Sequence, residues 1–415
     1  MLPFPESAPY RIDQVTAAPL SLAVLSLALV ATAAGMTAAE QAGRRRLWRL
    51  GALLLPALVT VLFGLASWGT SDVTKLSHFL AFDTSRVRGE AFWELAAPLI
   101  AQLPYRMALV HGLVAAGYAS APILLARLWG ARAWAGWWAL LVVFSPLLRN
   151  FLQNGVSRQA LMTLLLVPLL LWAGRLTPVR RPALAAATLM AATLHTSFAG
   201  MALLALAPRA LAGPPPRKGP DPQPPAPSQP ERRPWPRRRL AVAGLAVALA
   251  GLLALAAPMV WEKLRSYTQQ ESFFNGYALA VPVARLQLAM ALGVGLVCWR
   301  RRLGWQQLLA CGHSRQLAGF GLLFWFIQHC LRQGWVPPLT SRFADGVGLF
   351  LLIVWLAWLE RYRARWAVLP TLLVTLDTWL LDRLPDGLTL HCGRDDAFFC
   401  TPDRWPWQVR WHSPP

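Results

Sequence analysis

Arginine recurs at the edges of apolar runs in this chain, twice beside small polar residues. Asn154-Gly155-Val156-Ser157-Arg158-Gln159 leads into one run, and Thr340-Ser341-Arg342-Phe343-Ala344-Asp345 leads into another. Arg285 is among the first residues of a third run, and Arg149 closes a fourth. A guanidinium is planar, always charged and donates along two edges, so arginines gathered at one depth suit a diphosphate. A helix N-terminus adds backbone donors and the positive end of its dipole. Plainer roles compete. Arg158 can snorkel to lipid phosphate, and Arg342 can pair with Asp345, three residues on along the same helical face.

Two further residues could move a proton. His195, in Leu194-His195-Thr196-Ser197-Phe198, titrates near neutrality and can act as a base or as a hydrogen-bonding cation, although a helix-end histidine also serves as a structural donor. Asp72, in Trp68-Gly69-Thr70-Ser71-Asp72, is the second candidate, with a helix cap or a solvated carboxylate as its plain alternative. Several motifs are missing: a phosphate-binding Walker loop, a dinucleotide glycine fingerprint, HExxH and a nucleophile elbow. No outer DxD or ExD pair offers itself for a metal-bound sugar donor, and Asp395-Asp396 is a poor substitute. The reading is therefore chemistry without metal or cofactor.

The elements that hold these residues are apolar and long. The 415 residues are 56% hydrophobic, too apolar for an ordinary soluble protein. Apolar segments at 18–39, 50–69, 105–127, 133–148, 158–174, 182–195, 197–212, 240–260, 284–299, 317–331, 344–359 and 366–381 predict an all-α, polytopic membrane protein. The pair 182–195 and 197–212 is short for a crossing of about 30 Å and reads equally as one re-entrant unit, so ten to twelve helices are expected. Threaded alternately, the segments put twenty-four of the forty Lys and Arg residues on one side with only four acids (Glu40, Asp221, Glu231, Glu360). That side is predicted to be cytoplasmic. The first segment, preceded by acids instead of a basic start, reads as retained rather than as a signal peptide.

A net charge of +21 raises nucleic acid as a partner. The bases, however, form short caps between apolar runs, such as Arg44-Arg45-Arg46 and Arg300-Arg301-Arg302, so anchoring against lipid headgroups is the better account. Trp134, Trp137, Trp138, Trp355 and Trp358 are expected to form interfacial belts. The Pro-rich stretch 213–239 reads as a disordered cytoplasmic linker between an N-terminal helix group, 1–212, and a C-terminal one, 240–382. A polar outer tail follows at 383–415, where Cys392 and Cys400 are close enough in sequence to bridge. Three long outer segments, 70–104, 261–283 and 332–343, mark the side for chemistry, and Phe92, Trp93, Leu95 and Leu99 suggest an interfacial amphipathic helix in the first.

In these residues the chain resembles the EpsG-like members of the Wzy-type polysaccharide polymerases. The resemblance rests on Gly69, Thr70 and Asp72, then on Glu90, Phe92 and Trp93, then on Arg158-Gln159-Ala160-Leu161. It continues through His195 and Ser197 and ends at Ser341-Arg342-Phe343, covering about residues 65–360. It implies a Wzy-like or glycosyltransferase-C-like bundle in the bacterial plasma membrane, joining oligosaccharide units carried on undecaprenyl diphosphate at the outer face. Arg158 and Arg342 would bind the diphosphate, with Arg285, Arg149, Gln159 and Glu90 as further contacts and His195 or Asp72 as base. A chain-length regulator would be a further partner. Two alternatives stay open. One is a ligase acting on the same lipid. The other is a transporter or flippase, which would place charges near mid-helix, where this chain has little besides Asp377.

Overall fold

Hydrocarbon offers no hydrogen bonds to an open backbone, so a chain this apolar must satisfy its amides within each segment. The computed structural model describes residues 11–12, 19–66, 91–100, 106–148, 157–195, 197–212, 280–332, 337–383 and 411–412. In chain order the helices are α1 (Pro19–Gln41), α2 (Arg45–Ala66), α3 (Ala91–Ile100), α4 (Arg106–Leu128), α5 (Ala135–Val143) and α6 (Ser157–Ala173). Then come α7 (Arg181–Leu194), α8 (Phe198–Ala212), α9 (Ala280–Arg301), α10 (Trp305–Ala310), α11 (Gly312–Arg332), α12 (Pro337–Arg361) and α13 (Val368–Arg383). Single 3-10 turns, Arg132–Trp134 and Arg365–Ala367, lead into α5 and α13. A two-residue antiparallel ladder pairs Arg11 with His412 and Ile12 with Trp411.

The fold is all-α. Among the described residues, four helices are long and apolar enough to cross a membrane, namely Val24–Gln41, Arg45–Phe63, Val283–Arg301 and Phe343–Arg361. Gly112–Leu128, Arg158–Ala173, Phe198–Ala210 and Arg365–Leu376 are apolar but shorter. The expected segment 240–260, the linker 213–239 and the tail cysteines lie outside the described residues.

One helix organises the rest. In α12 the apolar window is 89% buried, against 28% in α1 and α2 and 33% in α9. The lipid-length helices thus present most of their surface outward, while α12 is covered all round. This overturns part of the tryptophan reading: Trp138, Trp355 and Trp358 are core residues, fully buried or nearly so. The cause is positional. A residue near the end of a central helix meets neighbouring helices instead of headgroups, and Trp358 donates its indole N–H to Ser314 Oγ at 2.9 Å. Trp134 and Trp137 stay partly exposed.

Five helices stop in the same way. After α1, α4, α6, α9 and α12, a residue one or two positions past the helix takes positive φ: Gly43 (67°), Gly130 (71°), Arg175 (54°), Arg302 (50°) and Arg363 (48°). Each amide donates to the carbonyl three residues back, and the next amide donates five back, as in Arg363 to Glu360 and Ala364 to Leu359. This is the Schellman arrangement, which satisfies carbonyls that the helix leaves open. Glycine fits the left-handed position without cost, whereas arginine there loses roughly 1 kcal/mol. Arg175→Gly should accordingly raise stability by about 1 kcal/mol, seen as a higher melting temperature in detergent; an unchanged or lower value would contradict it.

All five stops lie at one end, hereafter the basic end. Arg132 reaches Glu40 at 4.0 Å, and Trp48 donates to the Arg132 carbonyl at 3.1 Å. Gln316 of α11 donates to the carbonyls of Gly174 (3.0 Å) and Pro208 (3.2 Å), tying the ends of α6 and α8 together. Arg301 donates to the Arg363 carbonyl at 3.2 Å. The helix polarity inferred from charge sorting is therefore matched by the packing of these ends.

Candidate functional site

The far end of the bundle, opposite these stops, carries Arg158, Gln159 and His195. Two of the apolar runs are separate helices, α7 of 14 residues and α8 of 15, joined by a tight hairpin. The hairpin turns at His195, whose backbone is extended (φ −158°, ψ 140°). Its imidazole explains why the chain breaks there. The Ser197 amide donates to Nδ1 at 3.0 Å, and Ser197 Oγ lies 2.7 Å from the same nitrogen. The His195 carbonyl accepts from the Phe198 amide at 3.0 Å, opening α8. An amide N–H can only donate, so Nδ1 is the acceptor and the ring proton sits on Nε2. His195 is buried. Its local bonding makes it a neutral donor through Nε2.

Trp93 reaches the same point from α3. Its indole N–H donates to the Leu194 carbonyl at 3.0 Å, and its side chain is 1% exposed. That carbonyl is left open because α7 stops one residue later, so α3 serves as a cap on the hairpin tip. Leu95 and Leu99 on the other face of α3 are exposed, as an interfacial amphipathic helix requires.

Glycines bring α6, α8 and α12 together. A Cβ on Gly200 would lie 2.7 Å from the Phe343 ring, and one on Gly346 would overlap Met201 Cε and lie 3.7 Å from Thr163 Oγ1. Phe343 follows Arg342, Met201 follows the hairpin, and Thr163 is five residues after Arg158. Small residues at such crossings let helix backbones approach. Gln159, Thr163 and Asp345 are all buried in this region. Tyr118 of α4 donates to the Ala160 carbonyl at 2.7 Å and lies within electrostatic reach of Asp345.

The expected residues fall in four places. Arg158, second residue of α6, is partly buried beside buried Gln159, and both belong with His195 to the far end. Arg342 corrects the expectation that it opens its helix: α12 begins at Pro337, so Arg342 is in the second turn, beyond the open amides of the N-terminus. Two prolines start the helix without needing donors, which extends it outward. Arg285 is an exposed residue of α9, a helix that packs on α13 and, at Gly293, approaches Trp355. Asp72, Glu90 and Arg149 lie outside the described residues. Residue types alone did not single out Tyr118 or Thr163; the available hint was the i, i+4 spacing of Gln159 and Thr163 along one helical face.

The basic end holds a different chemistry. Cys311 lies between α10 and α11, and its thiol is lowered to about 5, mainly by hydrogen bonding from His313, with burial opposing and Tyr362 and Ser314 assisting. The Tyr362 hydroxyl is raised by burial and therefore stays a donor. Ser314 Oγ and the Tyr362 hydroxyl are 3.3 Å apart. A depressed thiol contributes stability fully above its usual value near 9, and that contribution is lost as pH falls through about 5. The rate of alkylation by a water-soluble iodoacetamide should rise with a midpoint near pH 5 and be flat across neutrality, and His313→Ala should move the midpoint up by a unit or more. A wild-type midpoint near 8.5 would dismiss the thiolate.

Compared with protein-family models, curated proteins and solved structures, the chain matches none of them.

Proposed function

We propose that this chain is a multi-pass glycosyltransferase of the bacterial plasma membrane, polymerising undecaprenyl-diphosphate-linked oligosaccharide units at the outer face. The observation that carries the reading is the shared location of the Arg158-Gln159 helix opening, the His195–Ser197 hairpin tip and the Phe343–Gly346 stretch of α12, at the end of the bundle away from the basic stops. The first two, and Phe343 of the third, belong to the five stretches on which the family resemblance rests. Trp93, from another of the five, caps that hairpin.

In the proposed reaction the acceptor sugar hydroxyl attacks the anomeric carbon of the donor unit. A new glycosidic C–O bond forms as the bond to the lipid diphosphate breaks, and the electron pair leaves with the diphosphate. Growing negative charge on the leaving group calls for fixed donors. Arg158 and Arg342 supply them, with Gln159, Arg285 and Arg149 around them and Glu90 on the sugar side. Neutral His195 donates through Nε2, and in this proposal the Asp72 carboxylate takes the hydroxyl proton. His195 becomes the acceptor only if its Ser197 bonds release Nδ1.

Loss of the protein is the direct test. A strain lacking it should accumulate lipid-linked single repeat units and make no polymer. Long unattached chains would indicate a ligase instead, and units trapped on the inner leaflet would indicate a flippase.

A further inference from the structure

The basic end contains a cavity of about 470 Å³ lined by Trp129, Trp134, Glu360, Arg363, Arg365 and Trp366. It lies between the turn after α4 and the turn after α12, at the opposite end from the proposed reaction. Its charges are uneven. Arg365 forms a two-pronged pair with Glu360, at 2.5 and 2.6 Å, which uses up the one acid in the lining. Arg363 is exposed and has no carboxylate within ion-pair reach among the described residues. Arg301 donates to the Arg363 carbonyl, and Arg300 stacks over the Trp366 ring at 5.2 Å, so two more cations flank the opening. The Trp129 indole nitrogen is buried and has no hydrogen-bond partner among the described residues.

We infer that this cavity binds a phosphodiester, the headgroup of an anionic phospholipid of the inner leaflet. Arg363 would take the phosphate charge, with Arg300 and Arg301 beside the opening. The faces of Trp134 and Trp366 would lie along the glycerol and first methylenes, the depth at which indole is favoured. The backbone supports the assignment. Arg363 stands at a left-handed position (φ 48°) that glycine would fill without strain. Arg175 and Arg302 share that conformation, but neither lines this cavity. The inference does not depend on the glycosyltransferase reading, because none of these groups is at the far end.

Native mass spectrometry of the purified full chain, titrated with phosphatidylglycerol or phosphatidylcholine, tests it. Phosphatidylglycerol should be retained at least fivefold better, and Arg363→Gly should cut that preference threefold or more. Arg363→Gly suits the backbone, so lost binding is separable from misfolding, and a melting temperature at or above that of the wild type verifies this. Arg175→Gly, which removes an equal charge away from the cavity, should leave retention intact. Equal retention of the two lipids, or an equal loss in Arg175→Gly, would overturn the site. A soluble glycerol phosphate that displaces the lipid only in chains retaining Arg363 upholds the phosphate site and assigns it to a free solute.

Discussion

Replacing Arg158 with lysine is expected to lower polymer formation by about a hundredfold or more, with membrane insertion unaffected. Lysine preserves the charge, so the topology signal and the favourable position beside the N-terminal dipole of α6 both survive. What disappears is the planar pair of parallel donors that can hold two oxygens of one diphosphate at fixed angles. A lysine ammonium is a hydrated point charge and cannot reproduce that geometry as the leaving group gains charge. Arg342→Lys should act the same way. Arg285→Lys should cost far less, because Arg285 is exposed on α9. The measurement is polymer length on a gel together with the level of lipid-linked single units. Full-length polymer in Arg158→Lys would remove the diphosphate clamp from consideration.

Gly136→Ala is expected to destabilise the bundle by about 3 kcal/mol or more, enough to prevent recovery of folded protein from detergent. A Cβ there would lie 2.6 Å from the Ala33 Cα and 2.7 Å from its Cβ, so α5 and α1 would have to separate. Gly112→Ala belongs to the same class, since its Cβ would meet the Thr60 carbonyl oxygen at 2.5 Å, where α4 crosses α2. Neither neighbour can rotate away, because both are backbone or are rigidly attached to it. Gly51→Ala is the control: its clash is with Met36 Cγ, on a side chain with several rotatable bonds. Melting temperatures of the three variants should rank accordingly, and a Gly136→Ala protein that melts with the wild type would refute the close approach.

Much of the helix plan is legible in residue pattern because hydrocarbon permits little else. The apolar run 105–127 emerges as α4 at Arg106–Leu128, and the His195-Thr196-Ser197 interruption emerges as a true hairpin tip. Charge sorting correctly groups the arginine-rich stops. What the pattern could not reveal is which helix is central. Hydrophobicity looks alike whether a face meets lipid or protein, so Trp355 and Trp358 read as belt residues although they are core. The same ambiguity hid Tyr118 and Thr163, whose partners come from helices distant in sequence. Arg342 was misplaced by one turn because Pro337-Pro338 looks like a loop, yet prolines are tolerated at the first positions of a helix.

The enclosure of α12 bears on how the molecule comes into being. Residues 337–361 leave the ribosome after every other described helix except α13, yet they occupy the middle. Earlier-made helices must therefore wait in the bilayer around a slot that is still empty, held by contacts such as α1 on α2 and α4 on α5. Maturation then amounts to the docking of one late hydrophobic rod into a preassembled sleeve.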